Sequence, residues 1–225
     1  VTFESCLAAT EALTRSPLYG IARFPTATGA VEYEVSNEDI ARDTAWAAGL
    51  LEGAGLGRGT ALLAIGSPFL MPWLAPFIRA ASATGATIAH ADRWGWDARR
   101  SEMFVRRLPI QVVLGMTADI AQSLSASGLI TTFERVPYLL AYPDAVGTLK
   151  AAGLDPGTLA WVGPATAASL AGGGPLRYNA DEWRLDTDPD GGILVSTAGR
   201  RAASFDRTPV GLRGDVLKPG LLVLD

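Results

Sequence analysis

Thr60-Ala-Leu-Leu-Ala-Ile-Gly66 and Gly85-Ala-Thr-Ile-Ala-His-Ala-Asp92 are two short apolar runs, and between them Ser67-Pro68 opens a helical stretch that reaches about Ala83. A short apolar run bounded by turn residues is the mark of a strand buried on both faces. Two such strands joined by a helix require a parallel crossover. The passage therefore predicts an α/β sheet. Ser67 suits the N-cap of the helix, and Pro68 suits its first position, where the missing N–H would have had no partner.

The same passage has a competing reading, because Gly59 to Ile78 carries no charge and is about long enough to cross a bilayer. Pro68, Pro72 and Pro76 fall inside it, and lipid could not replace the hydrogen bonds they remove. No basic cluster precedes it, only Arg58. The expectation is a buried helix, kinked near Pro72 or Pro76, and no membrane partner.

Composition narrows the classes. With 225 residues the chain can bury a substantial core as one large domain or two small ones. At 48% hydrophobic and 19% charged it is not a disordered chain. A net charge of −4 and the lack of any Lys/Arg run argue against nucleic acid. Arg99-Arg100, Arg106-Arg107 and Arg200-Arg201 are pairs that read as solvated faces. A single cysteine, Cys6, rules out an internal disulfide and fits a reducing compartment. A single histidine, His90, excludes a histidine-based metal cluster. The first residues lack the basic and apolar regions of a secretion signal, so the expected location is cytoplasmic.

Working outward, residues 4–14 read as a helix followed by a turn at Ser16-Pro17, and Pro25-Thr-Ala-Thr-Gly29 reads as a second turn. Val31-Glu-Tyr-Glu-Val35 alternates as a half-exposed strand does. Ser36-Asn37 caps a helix with Glu38 and Asp39 in its first turn, where carboxylates suit the dipole; it should stop at Gly53 or Gly55. Beyond the central unit come a basic amphipathic helix ending before Pro109, a buried strand at Ile110 to Met116, and a helix capped by Thr117. One more helix lies within residues 141–153, and a further strand spans Thr158 to Gly163. This alternation predicts a doubly wound, mostly parallel sheet. Gly172-Gly-Gly-Pro175 breaks the pattern. The remainder reads as antiparallel strands over 182–187, 193–197 and 221–224, with a hairpin turn at Asp188-Pro-Asp-Gly-Gly192. Residues 1–175 are thus expected to form the α/β part and 176–225 a small β region packed on it.

In open parallel sheets ligands bind beyond the carboxyl ends of the strands. The expected strands run out in turn into Ser67 and Phe69; into His90, Asp92 and Trp94; into Met116 and Thr117; and into Gly163, Pro164 and Thr166. The set suits a small carboxylic or aromatic ligand better than a polyanion. His90 beside Asp92 reads either as an acid–base pair or as a histidine satisfied at a strand end. Trp94 and Trp96 read as packing or as a stacking rim. Ser67 is more simply a cap than a nucleophile, since no Gly-x-Ser-x-Gly elbow surrounds it.

The order of these segments resembles the large N-terminal domain of the adenylate-forming (AMP-binding) enzymes, the acyl- and aryl-CoA ligases, and among them the phenylacetate-CoA ligase type. Helix 37–51 and the adjoining Gly55-Leu-Gly-Arg-Gly-Thr-Ala-Leu-Leu-Ala-Ile-Gly-Ser-Pro-Phe69 are similar to their helix, Gly-Val-x-x-Gly-Asp, strand, Asn-Ser-Pro passage. Ile78 to Ala91 resembles the family's next segment, Leu-x-x-Gly-Ala-x-x-Val-Pro. Ala160-Trp-Val-Gly-Pro-Ala165 sits where the family carries Gly-Gly-Glu-Pro, and Gly192 to Arg201 resembles Gly-Glu-Leu-Val-Val-Thr. Arg213-Gly-Asp215 resembles the Arg-Thr-Gly-Asp whose aspartate holds the AMP ribose, which implies a nucleotide contact for Asp215. The resemblance covers nearly the whole chain.

The departures bear on function. The family's phosphate loop, Ser-Ser-Gly-Thr-Thr-Gly-Lys-Pro, is represented by Pro25-Thr-Ala-Thr-Gly-Ala-Val31, with Thr28 and Gly29 as its remnant. One glycine and the lysine are missing, and such loops work by offering amides and a cation to phosphates. The aromatic-Gly-x-Thr-Glu motif that supplies the magnesium-binding glutamate has no counterpart between Gly163 and Gly192. The chain also ends soon after Asp215, before the family's C-terminal domain. The resemblance therefore implies a ligase-like fold that binds an acyl or aryl group, a CoA thioester or a protein partner, with no use of ATP and magnesium. The alternatives are an acyltransferase acting on a preformed thioester with His90 as base, and a non-catalytic subunit docking on a carrier protein or a full-length ligase. A homodimer is expected from the apolar surface that such loss would expose.

Overall fold

The computed structural model describes residues 2, 4–5, 17–26 and 29–225. The helix expected over 4–14 lies outside the described residues beyond Glu4 and Ser5, and so do Cys6 and Thr28.

The central passage folds as expected. β3 (Ala61–Ile65) and β4 (Thr87–Ala91) pair in parallel, Leu63 opposite Ala89. Every residue of β3 is buried, which is why the run is apolar without alternation. The connecting α2 (Met71–Ala83) comes after a 3-10 turn at Pro68–Leu70. Pro72 falls in the first turn, where it removes no bond, and only Pro76 lies inside the helix. Among the described residues no helix is long and apolar enough to cross a membrane.

Before this unit, β1 (Leu18–Thr26) and β2 (Gly29–Ser36) form a two-stranded antiparallel ribbon whose ladder closes at the pair Thr26 and Gly29. Only the second of these strands is expected from the sequence. α1 (Asn37–Leu51) starts with a full capping box: Ser36 Oγ accepts from the Asp39 amide at 3.0 Å, and Asp39 Oδ2 accepts from the Ser36 amide at 2.8 Å. It closes through a 3-10 turn onto Gly55, whose φ of 67° is the left-handed cap the sequence implies.

After β4 come α3 (Ala98–Arg107), β5 (Ile110–Met116), α4 (Ala118–Ala126), β6 (Tyr138–Ala141), α5 (Pro143–Ala151) and β7 (Gly157–Val162). The parallel strands stand in the order β4-β3-β5-β6-β7. The chain winds one way from β3 to β4 and the other way from β4 onward, so the direction reverses between β3 and β5. Alternate strand residues face two separate cores. Leu62, Ala64, Val112 and Leu114 meet Ile40, Leu51, Leu74 and Phe77 of α1 and α2. Leu63, Ile65, Val113 and Met116 meet Val105, Ile120, Leu124 and Leu149 of α3, α4 and α5. The sheet is doubly wound.

Past β7 the strands turn antiparallel: β8 (Ala165–Ser169), β9 (Leu176–Tyr178), β10 (Trp183–Thr187), β11 (Gly192–Thr197), β12 (Thr208–Lys218) and β13 (Leu221–Leu224). They extend the same sheet by hydrogen-bonded neighbours, giving eleven strands in the order β10-β11-β12-β13-β9-β8-β7-β6-β5-β3-β4. The predicted hairpin is present, Thr187 opposite Ile193. β6, β8, β9 and β12 have no counterpart in the sequence-based expectation.

Candidate functional site

A cleft of about 700 Å³ opens where the ribbon β1–β2 lies against the carboxyl ends of β3 and β7. Phe24, Pro25 and Thr26 of the ribbon form one side, Phe69, Leu70 and Trp73 the second, and Trp161, Gly163, Val210 and Leu212 the floor. Its aromatic frame is interlocked. Trp73 and Trp161 lie 5.8 Å apart between ring centroids, Tyr33 meets Trp73 edge-on at 6.4 Å, and Phe24 meets Tyr33 at 5.8 Å. Trp73 Nε1 donates to the Gly163 carbonyl at 3.1 Å, pinning α2 to the turn after β7. Among the described residues Arg23 is the one cation on the lining, and its 4.0 Å pair with Glu32 is largely exposed. Such a cavity suits an apolar, flat group, with little to hold a polyphosphate.

The residues nominated from the sequence are divided by the structure. Phe69, 64% exposed, and Gly163 line the cleft. Pro164 is buried beside Gly163 in the two-residue turn between β7 and β8. Gly29 lies at the ribbon's closing pair, next to the lining residue Thr26. Asp215 is exposed on β12, opposite Val223, about 10 Å along the strand from Leu212.

The others serve elsewhere. His90 is exposed on the sheet's edge strand and lines no part of the cleft. Asp92 accepts the Arg93 amide at 2.7 Å, and no hydrogen bond joins it to His90. Trp94 is 46% exposed beneath the Arg93 guanidinium, 5.1 Å from the ring centre. Met116 is fully buried in the core under α4. Thr117 Oγ1 caps α4 from the Ile120 amide at 3.2 Å and donates to the Arg93 carbonyl at 2.7 Å. Ser67, expected to cap, makes no capping bond. Its hydroxyl is buried with no partner among the described residues, because the chain enters a 3-10 turn there.

Sequence reasoning misses Phe24, Trp73, Trp161 and Val210, and it also misplaces Arg201. Far from a solvated face, the Arg201 side chain is 5% exposed and binds Asp43 at 2.8 Å and Glu182 at 2.9 Å, its guanidinium 4.3 Å over the Trp183 ring. Arg42 joins the same group, 2.6 Å from Asp39 and 3.0 Å from Glu182. Burial alone would lower the Arg201 pKa, but the three carboxylates together hold it above its ordinary value. Burial raises the Asp43 carboxyl despite Arg201. This network ties α1 to the loop after β11 and is structural. Among the described residues no group of three His, Cys, Asp or Glu side chains is placed to hold a metal.

No family model and no curated protein matches the sequence. Solved structures match its fold. A 2-hydroxyisobutyryl-CoA ligase, in complex with 2-HIB-AMP and CoA, superposes with a TM-score of 0.65 at 14% identity, over 94% of this chain and 57% of that one. The o-succinylbenzoate CoA synthetase of Bacillus subtilis gives 0.61 at 13%, over 95% and 50%. The N-terminal subdomain of Klebsiella oxytoca NpsA, in complex with 3-hydroxyanthranilyl-AMSN, gives 0.62 at 13%, over 96% and 67%. The chain thus has the fold of the adenylate-forming acyl- and aryl-CoA ligases. It spans about half the length of the CoA ligases it matches.

Proposed function

We propose that the protein binds the acyl or aryl group of a carboxylic acid, or of its thioester, in the cleft between the ribbon and the sheet, and does not form an adenylate. The lining is the observation that carries this reading. Phe24, Phe69, Trp73 and Trp161 supply flat apolar walls, which favour an aromatic or short branched body through burial and ring contacts. The solved neighbours are in complex with 2-HIB-AMP and CoA and with 3-hydroxyanthranilyl-AMSN, which supports a ligand-binding role for a chain of this fold.

The nucleotide side of the reading rests on the ribbon tip. Pro25-Thr-Ala-Thr-Gly-Ala-Val31 brings one glycine and no lysine, so it lacks the second glycine and the cation with which such loops hold a triphosphate. His90 lies away from the cleft, and nothing in its described surroundings favours an acyltransferase. ATP–pyrophosphate exchange in the presence of a panel of aryl and acyl acids tests the reading. The expected result is no exchange, with the same acids quenching or shifting tryptophan fluorescence through Trp73 and Trp161. Exchange above background overturns it.

A further inference from the structure

Three polar groups, each with a buried atom that has no partner among the described residues, stand at the carboxyl ends of the parallel strands β3, β4 and β6. Ser67 comes after β3 and is 4% exposed; Tyr142 comes after β6 and is 9% exposed; Arg93 comes after β4. The Ser67 hydroxyl, the Tyr142 hydroxyl and Arg93 Nε are each shut off from solvent and meet no described group at hydrogen-bond geometry. Buried polar atoms are almost always satisfied, so a cluster of exceptions calls for a missing partner.

The chemistry of the three groups says what that partner is. The guanidinium can only donate, and the two hydroxyls are free to do so. Burial raises the Tyr142 pKa, which keeps the phenol protonated; the nearby Arg93 charge opposes the shift and the Asp144 carboxylate adds to it. Arg93 forms no ion pair with any carboxylate among the described residues; its guanidinium meets only the Trp94 ring. A half-buried cation and two neutral donors at the same end of the sheet complement one oxyanion of single charge. A dianion would need a second cation to leave water. The glycine on β5 is what lets the Tyr142 hydroxyl come up to the end of β3. Gly115 on β5, between β3 and β6, has a φ of 88°, and a Cβ there would lie 2.7 Å from the Ile65 carbonyl and 3.2 Å from the Tyr142 hydroxyl.

We propose that Arg93, Tyr142 and Ser67 form a binding site for one carboxylate at the point where the winding of the sheet reverses. The site adjoins the cleft through Trp161, whose ring lines the cleft and lies 5.3 Å from the ring of Tyr142. It rests on the cleft reading only for the source of the carboxylate, which is either the acid group of a ligand whose body fills the cleft or a small free carboxylate.

Benzoate, its uncharged analogue benzamide, and acetate separate these cases, each titrated against the full chain by tryptophan fluorescence and thermal shift. The variants are Arg93→Gln and Tyr142→Phe, the second deleting a single oxygen so that folding is not at issue. The expected result is benzoate binding about tenfold or more tighter than benzamide, as loss of a charge-assisted hydrogen bond implies. Both variants should erase that advantage and leave benzamide unchanged. Acetate binding that depends on Arg93, with no response to either aromatic, upholds the site with a small free carboxylate and removes the cleft reading. Equal affinity for benzoate and benzamide, insensitive to Arg93→Gln, overturns the site and leaves the cleft reading standing. No response to any of the three overturns both.

Discussion

Trp161 and Tyr142 meet edge-on, ring centroids 5.3 Å apart at 60°, so the residue that floors the apolar cleft also covers the phenol behind it. Removing the indole should uncover the phenol and strip an aromatic wall from any ligand. Trp161→Ala is expected to weaken benzamide about tenfold, read as the change in Kd by fluorescence of the remaining tryptophans.

Gly163 holds the turn that shapes the floor. Its φ is 62°, and a Cβ would fall 2.6 Å from Val210 Cγ1 and 3.4 Å from Phe24. Gly163→Ala should therefore cost about 2 kcal/mol from left-handed strain and crowding together, measured by urea unfolding. Adding Val210→Ala to it should recover part of the loss, because it removes the clashing methyl groups. An additive double variant would show that contact with Val210 is not the source of the cost.

Among the described residues, Arg201 is the only side chain that touches Asp39, Asp43 and Trp183 together. Its loss leaves three buried or half-buried carboxylates with only Arg42 to answer them. Arg201→Met is expected to destabilise the fold by about 3 kcal/mol or more, whereas Arg200→Met, on the exposed neighbour, should change stability by less than about 0.5 kcal/mol.

Asp43 makes a pH signature. Burial raises its carboxyl above the ordinary value of 3.8, against the hydrogen bond and charge of Arg201. A carboxyl with a folded pKa above its unfolded pKa holds its proton more tightly in the folded state. Its contribution to stability therefore declines as pH rises from about the unfolded value to the raised folded one, and is flat beyond. Asparagine cannot titrate, so the difference in Tm between Asp43→Asn and the parent should move in the variant's favour across that window and then level off. A difference that stays constant from about pH 3.5 to 7 contradicts the assignment.

Tyr142→Phe removes a buried hydroxyl that has no partner among the described residues of the ligand-free chain. Deleting an unsatisfied polar group is neutral or stabilising, so unfolding should change by about 1 kcal/mol at most. The same change should abolish the preference for benzoate, which separates a binding role from a structural one.

How much of this can be read in the sequence depends on the kind of segment. β3, β5 and β7 are apolar runs closed by Gly or Pro, and their burial on both faces makes them legible. β6 is only Tyr-Leu-Leu-Ala before the helix that Pro143 opens, so it merges into the helical pattern. β8 reads Ala-Thr-Ala-Ala-Ser, which has little strand preference. It pairs because the turn at Gly163-Pro164 brings it back beside β7, close enough that a Cβ on Gly157 would sit 2.3 Å from the Ser169 carbonyl. β12 looks like loop because Gly211 and Gly214 interrupt it.

The site is legible only in part for the same reason. Phe69 and Gly163 come after recognisable strands, and the rule that ligands gather at carboxyl ends finds them. Phe24 and Val210 come from strands that no local pattern marks, nearly two hundred residues apart. Tyr142 is hidden with β6. Arg201 meets Asp43 across 158 positions, and no local pattern announces a buried charge whose partners are that distant.

The central claim is that the cleft takes an acyl or aryl group while the chain makes no adenylate from it. Native mass spectrometry of the protein incubated with MgATP and a panel of aryl and acyl acids reads both halves at once. The account predicts a mass increase equal to one of the acids, unchanged by MgATP. An increase equal to ATP or to an acyl adenylate would contradict it.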